Sequence, residues 1–237
     1  MPLLVYPYQI AHGAINMATD FWLFQQKDLI DPVFRHYGWI NNEITFGYGQ
    51  NWNWVKKQNQ VKGLQITRRP TGGGIVQHGR DWTYTLILPH KHASSRVPAL
   101  DFYEAIHLSI GNALLAQKFP TTLMPCPVQK EKQKGIPGDC FLEPVGKDLM
   151  NKSGSKKIAG AAMKRTKKGI LIQGTIDISM FSNLDLDRFY KFFVKEIENL
   201  LFEKTQIERW PVEFDHEHKF YVKQFASSTW LENRKLI

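Results

Sequence analysis

Residues 68–78 read Arg-Arg-Pro-Thr-Gly-Gly-Gly-Ile-Val-Gln-His, and residues 82–88, just beyond them, read Trp-Thr-Tyr-Thr-Leu-Ile-Leu. Three adjacent glycines leave a run of backbone N–H groups uncovered by side chains, and they permit positive φ angles that other residues resist. Such a loop can wrap an anionic or carbonyl-bearing ligand, with the arginines supplying charge and forked donors. A flexible hairpin with solvated arginines has the same composition, so this stretch alone leaves both interpretations open.

The sequence around this glycine-rich loop predicts short strands with helices on either side. Strands are predicted at residues 33–38, 44–48, 64–68, 82–88, 157–163 and 169–178. Helices are predicted at residues 14–27, 101–117, 184–203 and 216–232. Asp101 and Asp185 are the expected N-caps of two helices, and residues 119–150 are expected to be mostly connections. Large apolar residues alternate along 82–88, which predicts a strand with one buried face. The pattern predicts one α+β domain covering residues 1–237.

The bulk composition excludes several classes of protein. Hydrophobic residues make up 43% of the 237 residues and charged residues 22%, as in an ordinary globular protein rather than a disordered one. The two cysteines, Cys126 and Cys140, are too few for a disulfide scaffold and suit a reducing compartment. The N-terminus lacks the pattern of a signal peptide, and the chain contains no apolar run of about eighteen residues. We therefore expect a cytoplasmic protein with no membrane partner.

The formal net charge of +9 indicates acidic partners. Lysines and arginines cluster at residues 130–134 and 152–168. A basic module for nucleic acid is one interpretation, but the chain contains no recognised nucleic-acid motif, so no such partner is expected. The histidines show no metal-ligand spacing, and no metal site is expected. His107, in the middle of a predicted helix, is expected to be a surface residue or a hydrogen-bonded one.

A second distinctive segment begins at Lys157. Residues 157–163 read Lys-Ile-Ala-Gly-Ala-Ala-Met, and the pair Gly174-Thr175 follows in the next predicted strand. Small residues let a ligand lie flat against a strand, and a lysine beside that surface can hold a carbonyl, a carboxylate or a phosphate. A Gly/Ala hairpin with exposed lysines is the alternative interpretation.

Together the two segments resemble the biotin/lipoate protein ligase superfamily, and most closely its branch of lipoate-protein ligases and lipoate-ligase-like octanoyltransferases. That branch has an Arg-Arg-x-x-Gly-Gly loop with a His beyond it, a Lys-Ile-Ala-Gly strand and a Gly-Ser/Thr pair. Residues 13–20, 44–50 and 82–85 are similar to its first helix, its second strand and the strand after the glycine loop. The resemblance covers roughly residues 12–178 in the same order.

The resemblance implies a fold and a site. The fold is α+β, with a mixed, largely antiparallel sheet and flanking helices, of the biotin/lipoate ligase catalytic-domain type. An acyl group would lie in a tunnel beside the sheet, with Lys157 directed at its carbonyl. The implied substrate-binding residues are Arg68, Arg69, Gly72, Gly73, Gly74, Val76, His78, Gly160, Ala161, Gly174 and Thr175. The implied partners are acidic carrier proteins, which suit the charge of this chain: acyl carrier protein, the glycine-cleavage H protein and the lipoyl domains of 2-oxoacid dehydrogenase E2 subunits.

The family divides into cysteine-dependent transferases and ATP-dependent ligases, and this chain has features of both. Cys140 lies in Pro-Gly-Asp-Cys-Phe-Leu-Glu-Pro, residues 137–144, which resembles the Cys-Phe-x-x-Pro segment of the transferases. An adjacent lysine ammonium would favour the reactive thiolate. Gly74, the third glycine, is typical of ligases, whereas Gly79 follows His78 where ligases have Asp. We expect transfer of an octanoyl or lipoyl group through a thioester on Cys140, with Lys157 as the second catalytic residue and no cofactor. The alternative is a ligase that requires ATP and Mg.

Overall fold

The structure is a computed structural model that describes residues 1–26, 29–125 and 145–235. These residues form twelve β-strands and six α-helices. The strands are β1 (Leu3–Val5), β2 (Gln9–Ala11), β3 (Val33–Trp39), β4 (Glu43–Phe46), β5 (Gln65–Arg68), β6 (Val76–His78), β7 (Asp81–Pro89), β8 (Thr121–Leu123), β9 (Leu149–Asn151), β10 (Lys157–Thr166), β11 (Gly169–Asp177) and β12 (Thr205–Ile207). The helices are α1 (Gly13–Gln25), α2 (Trp52–Val55), α3 (Ala99–Leu115), α4 (Leu186–Leu201), α5 (Phe214–Ala226) and α6 (Ser228–Asn233).

Most of the strands form one mixed sheet. In the described residues its order is β12-β1-β3-β7-β11-β10-β9-β8, with β2 also paired to β3. The pairs from β3 to β8 are antiparallel, whereas β1, β2 and β12 add parallel pairs at one side. A second sheet, β5-β4-β6, carries the strands on both sides of the glycine-rich loop. The predicted mixed, largely antiparallel sheet with flanking helices is confirmed.

Helices cover both faces of the central strands. On one face, α3 and α4 pack onto a cluster that includes Tyr84, Leu86 and Ile172. On the other face, α1 packs onto Ile87 and Leu171. The strand β7 is therefore buried on both sides, and the prediction of one buried face was wrong. The second face of β7 carries Thr83, Thr85 and Ile87, and all three are buried.

A buried ion pair joins α1 to the sheet. Arg35 Nη1 on β3 donates to Asp20 Oδ1 on α1 at 2.8 Å, and neither side chain is exposed. The second carboxylate oxygen accepts from Tyr37 Oη at 3.0 Å and from Gln173 Nε2 at 2.6 Å. Gln173 Oε1 in turn accepts from Thr71 Oγ1 at 2.7 Å. One carboxylate thus connects the helix, two strands and the glycine-rich loop.

Several element ends differ from the sequence prediction. Asp185 caps α4 as predicted, accepting from Arg188 N at 2.9 Å. Asp101 does not cap α3: the helix begins earlier, after Pro98, and Asp101 lies in its first turn, where a carboxylate still favours the helix dipole. The predicted last helix is two helices, because Ser227 is extended and caps α6. The predicted connection 119–150 contains β8 and β9.

In the described residues, we find no helix with the length and apolar character needed to cross a bilayer.

His107 is buried, so the prediction of a surface position was wrong. The helix α3 turns it inward, where its ring meets the edge of Tyr103 at 4.2 Å. Neither ring nitrogen has a hydrogen-bond partner of good geometry among the described residues. Burial, and then the charge of Lys157, lower the pKa of His107 to about 3. An interaction with the backbone of Lys147 raises the pKa, but by less than the other two causes lower it. The ring is therefore neutral in the folded protein over the physiological range.

Acid should destabilise the protein through this histidine. The unfolded chain takes up a proton on His107 near pH 6.5 and the folded chain only near pH 3, so the free energy of unfolding should fall as the pH falls through this window. His107→Phe should remove part of that fall, whereas His216→Phe, on the exposed side of α5, should not. Urea unfolding at neutral and at mildly acidic pH measures both. An equal acid loss in the wild type and in His107→Phe would contradict this account.

Candidate active site

A pocket crosses the main sheet on the face that carries α1. Its floor follows one row of paired residues, Gly160 on β10, Thr175 on β11, Thr83 on β7 and Tyr37 on β3. All four residues line the pocket. Adjacent strands are about 4.8 Å apart, so this row extends about 14 Å across the sheet. The space between its walls, counted out into the solvent at its mouth, is about 520 Å³.

The two ends of the pocket differ in exposure. At the β3 end, Trp39 and His78 are buried. At the β10 end, Ala161, Ala162 and the loop residue Gly73 are only half-buried. The pocket therefore opens between β10 and the glycine-rich loop and is closed at the β3 end.

Arg69 holds the glycine-rich loop in one conformation. Its Nη2 donates to the carbonyl oxygens of Gly72 and Gly74, both at 2.8 Å, and its Nη1 donates to Thr45 Oγ1 at 2.8 Å. Gly73, between the two carbonyls, has φ of +86°, a backbone conformation that favours glycine. The guanidinium fork thus orders the loop from inside the protein.

The loop also packs tightly against the chain after β4. The Tyr48 N–H donates to Thr71 O at 2.7 Å, and a side chain on Gly47 would overlap the Gly73 carbonyl. By contrast, a methyl group on Gly72 would meet open space. Glycine is therefore required by contact at position 47, and position 72 has room for a larger residue.

Arg68 lies outside the pocket lining. Its guanidinium donates to the carbonyl oxygens of Leu231, Tyr48 and Gln50 at 2.7–2.8 Å. It also covers the ring of Phe46 at 4.4 Å. Arg68 thus connects the second sheet to the C-terminal helix α6, and its place in the structure is that of a packing residue.

His78 and Trp39 close the inner end of the pocket. Their rings stack at 3.8 Å. His78 Nδ1 lies 2.7 Å from Asp81 Oδ2, and Nε2 lies 2.7 Å from Thr45 Oγ1. Because Thr45 Oγ1 accepts from Arg69, its own proton is available to His78 Nε2. In the neutral ring this leaves Nδ1 to donate to Asp81, so the polar atoms of the ring are used within the protein.

Asp81 accepts several donors at this inner end. Its Oδ2 accepts from Thr83 Oγ1 at 2.8 Å and from Thr175 Oγ1, and its Oδ1 accepts from Gly79 N at 3.0 Å. Burial alone would raise the pKa of the Asp81 carboxyl, but His78 and the two threonine hydroxyls hold it below its usual value. Asp81 was not predicted from the sequence as a site residue. The sequence pattern that could have identified it is an acidic residue three positions after His78, since ligases of the family carry an acidic residue directly after this histidine.

Lys157 is paired at the open end of the pocket. Its Nζ lies 2.8 Å from Asp148 Oδ2, and both side chains are buried. Asp148 also accepts from the hydroxyl of Tyr103 and, at 2.7 Å, from the backbone N–H of Val145. The lysine side chain lies along its own strand and passes over Gly160. A methyl group on Gly160 would lie only 2.6 Å from Lys157 Cε and Nζ, so glycine leaves the space that the lysine occupies. Asp148 and Tyr103 were not predicted from the sequence, because they come from parts of the chain distant from Lys157.

The structure brings most of the predicted substrate-binding residues together. Those that line the pocket with Lys157 are Arg69, Gly73, Val76, His78, Gly160, Ala161, Gly174 and Thr175. Gly72 and Gly74 contribute carbonyl groups to Arg69 rather than a surface to the pocket. Cys140 lies outside the described residues, so its predicted role remains a prediction.

This fold and site define a catalytic domain of the biotin/lipoate ligase type. Residues 12–209 match the family model of the lipoyl protein ligase A/B catalytic domain. The chain therefore belongs to the lipoyl protein ligase A/B family, and the resemblance inferred from the sequence is confirmed.

Named relatives and solved structures agree with this assignment. The chain is 30% identical to Octanoyltransferase LipM of Staphylococcus aureus, over 78% of this chain and 67% of that protein. It is also 30% identical to Octanoyltransferase LipM of Bacillus subtilis, over 80% of this chain and 69% of that protein. A lipoate-protein ligase A bound with ATP shares the fold with a TM-score of 0.74 at 16% identity, covering 98% of each chain.

Two alanine substitutions should separate the loop glycines. Gly47→Ala should lower the free energy of unfolding by about 1–3 kcal/mol, because the added methyl group overlaps the Gly73 carbonyl. Gly72→Ala should change it by no more than about 0.5 kcal/mol, since the methyl group meets open space. Chemical denaturation of the two variants beside the wild type measures both. The described packing of the loop would be refuted by equal losses.

Proposed function

We propose that this protein transfers an octanoyl group from a carrier thioester to a lysine of a lipoyl-carrier protein, through a thioester on Cys140. The observation that carries the proposal is the buried ammonium of Lys157, which is held by Asp148 at the open end of a mainly apolar pocket that crosses four strands. The named relatives are octanoyltransferases, which supports the transferase branch over the ligase branch.

The pocket suits a medium-length acyl chain. Its polar residues satisfy one another, as His78 and Asp81 do, so mainly ring faces, methyl groups and methylene groups meet the ligand. Each CH₂ group removed from water contributes about 0.8 kcal/mol. With the tail at Trp39, the carbonyl of an extended chain would lie near Lys157.

Lys157 and Cys140 would divide the chemistry. The Cys140 thiolate attacks the donor carbonyl, the donor C–S bond breaks, and the carrier thiol leaves with a proton. The amine of the acceptor lysine then attacks the octanoyl-cysteine, an amide forms, the amine loses a proton and the cysteine sulfur is released. The ammonium of Lys157 favours the thiolate before attack and stabilises the oxyanion in both steps.

The short sequence distance between Cys140 and Val145 is compatible with a contact between the thiol and Lys157. Val145, whose N–H donates to Asp148, follows Cys140 by five residues. Five residues span at most about 17 Å, so the thiol is tethered to the neighbourhood of Lys157.

The proposed partners follow from the reaction. We propose acyl carrier protein as donor, and the H protein or an E2 lipoyl domain as acceptor, with the reaction in the cytoplasm. A structural neighbour from Thermoplasma acidophilum is described as a bi-partite lipoate protein ligase with its E2 lipoyl domain. That likeness, at 15% identity, concerns the fold. The transferase reaction needs no nucleotide and no metal.

Intact-mass spectrometry tests the covalent step. The wild type and Cys126→Ala should gain one octanoyl group from octanoyl-acyl carrier protein, and Cys140→Ala should gain none. Lys157→Ala should form the adduct about 10²–10³-fold more slowly, because it lacks the oxyanion partner. An adduct on Cys140→Ala, or modification of the acceptor that depends on ATP and free acid, would replace this mechanism by that of a ligase.

The inner end of the pocket should set the acyl length. Trp39→Leu shortens the end wall and should raise kcat/KM for a decanoyl relative to an octanoyl thioester by at least about tenfold, since one methylene is worth about 10–200-fold in an apolar pocket. Trp82→Leu is the matched control: Trp82 stacks on His36 at 3.9 Å, but on the opposite face of the sheet. Rates of transfer from the two N-acetylcysteamine thioesters measure the ratio. If both variants leave it unchanged, Trp39 does not set the length.

A further inference from the structure

An aromatic ring flanked by two cations lies beside the pocket. Lys164 Nζ lies 4.9 Å from the centre of the Tyr48 ring, and the Arg234 guanidinium lies 5.6 Å from it. Tyr48 is 37% exposed, and Arg234 is exposed at the end of α6. We call Tyr48, Lys164 and Arg234 the mouth patch. It brings together three segments that are distant in the chain.

The mouth patch borders the opening of the pocket on two sides. The backbone of Tyr48 is hydrogen-bonded to Thr71, which begins the glycine-rich loop. Lys164 follows Ala162, a residue of the pocket lining, by two positions on β10. A molecule that enters the pocket between β10 and the glycine-rich loop therefore passes beside this patch.

The positive charge of the patch is not neutralised by an ion pair within the described residues. Neither Lys164 nor Arg234 is a member of the ion pairs that those residues form. A third cation, Arg68, lies beneath them, and its pKa is lowered to about 10 by burial and then by the charge of Arg234, while Tyr48 raises it. Clustered like charges repel one another, and an acidic partner would relieve that repulsion.

We propose that the mouth patch docks a protein whose contacting face carries clustered carboxylates and which brings the acyl thioester to the pocket. The proposal rests on the proposed transferase function and specifies where its protein donor binds. The two cations and the Tyr48 hydroxyl together offer carboxylates several donors at one edge of the pocket. The contact lies at the rim of the site, so it contributes mainly to encounter and affinity rather than to the chemical step.

The patch favours a protein over the other acidic partners. Nucleic-acid surfaces are stripes of many basic residues that follow a backbone, whereas this patch is one ring with two exposed or half-exposed cations. Membrane surfaces attract clusters of about four to eight basic residues. A protein with a compact acidic face matches both the two cations of the patch and their place beside the opening.

Charge reversal with two donors tests the proposal. The variants are Lys164→Glu, Arg234→Glu and their combination, and the matched control is Lys191→Glu, an exposed lysine on α4 across the sheet. With octanoyl-acyl carrier protein, the double variant should raise KM on the order of tenfold with kcat little changed, and added salt should abolish the difference. With octanoyl-N-acetylcysteamine, an uncharged donor, all variants should match the wild type. Lys191→Glu should match the wild type with both donors.

The outcomes separate the two proposals. If the wild type is acylated by neither donor, the proposed function fails. If the wild type uses both donors but Lys164→Glu, Arg234→Glu and Lys191→Glu, which change the net charge equally, respond alike, the docking site is wrong and only overall charge matters. If the double variant loses activity with the uncharged donor as well, the patch belongs to the catalytic site instead. Patch-dependent inhibition by duplex DNA or by phosphatidylglycerol vesicles, without an effect on the carrier donor, would assign the patch to that other partner.

Discussion

A single buried carboxylate connects the parts of this protein that form the pocket. Asp20 accepts from Arg35, Tyr37 and Gln173, and Gln173 extends the connection to the glycine-rich loop at Thr71. A buried charge without its partner costs about 3–5 kcal/mol, so these groups are confined to one arrangement. Because their polar atoms bond to one another, a cavity lined by tyrosine, glutamine, threonine and histidine still offers an apolar surface to a ligand.

The glycine-rich loop and the lysine strand were visible in the sequence because each is a local pattern. Three glycines and a Lys-Ile-Ala-Gly strand can be identified without knowing the fold, and Gly160 has a local reason, since it leaves space for the side chain of Lys157 three residues before it. The α+β class followed from alternating strand patterns and helical stripes. These features depend on near neighbours in the chain.

The remaining parts of the site depend on pairing between distant strands. Asp148 meets Lys157 only because β9 pairs with β10, and Trp39 meets His78 only because the second sheet packs over the first. The positive charge of two adjacent arginines predicted that both would bind the substrate. In the structure Arg69 hydrogen-bonds to the glycine-rich loop, whereas Arg68 hydrogen-bonds to α6 and lies outside the pocket. The side of a helix that receives His107 could not be read from spacing alone, because a histidine suits either side.

The closed inner end of the pocket has a consequence for the order of events. In the part of the chain that the structure describes, the pocket opens on the β10 side and ends at Trp39. The methyl end of an acyl chain must therefore enter the pocket before its carbonyl group and leave after it. Two large proteins cannot bind at the same opening at the same time. In the proposed transferase, donor and acceptor would therefore bind in turn, and the octanoyl-cysteine would make the reaction ping-pong. An excess of either protein substrate would then slow the reaction, because it would block the binding of the other.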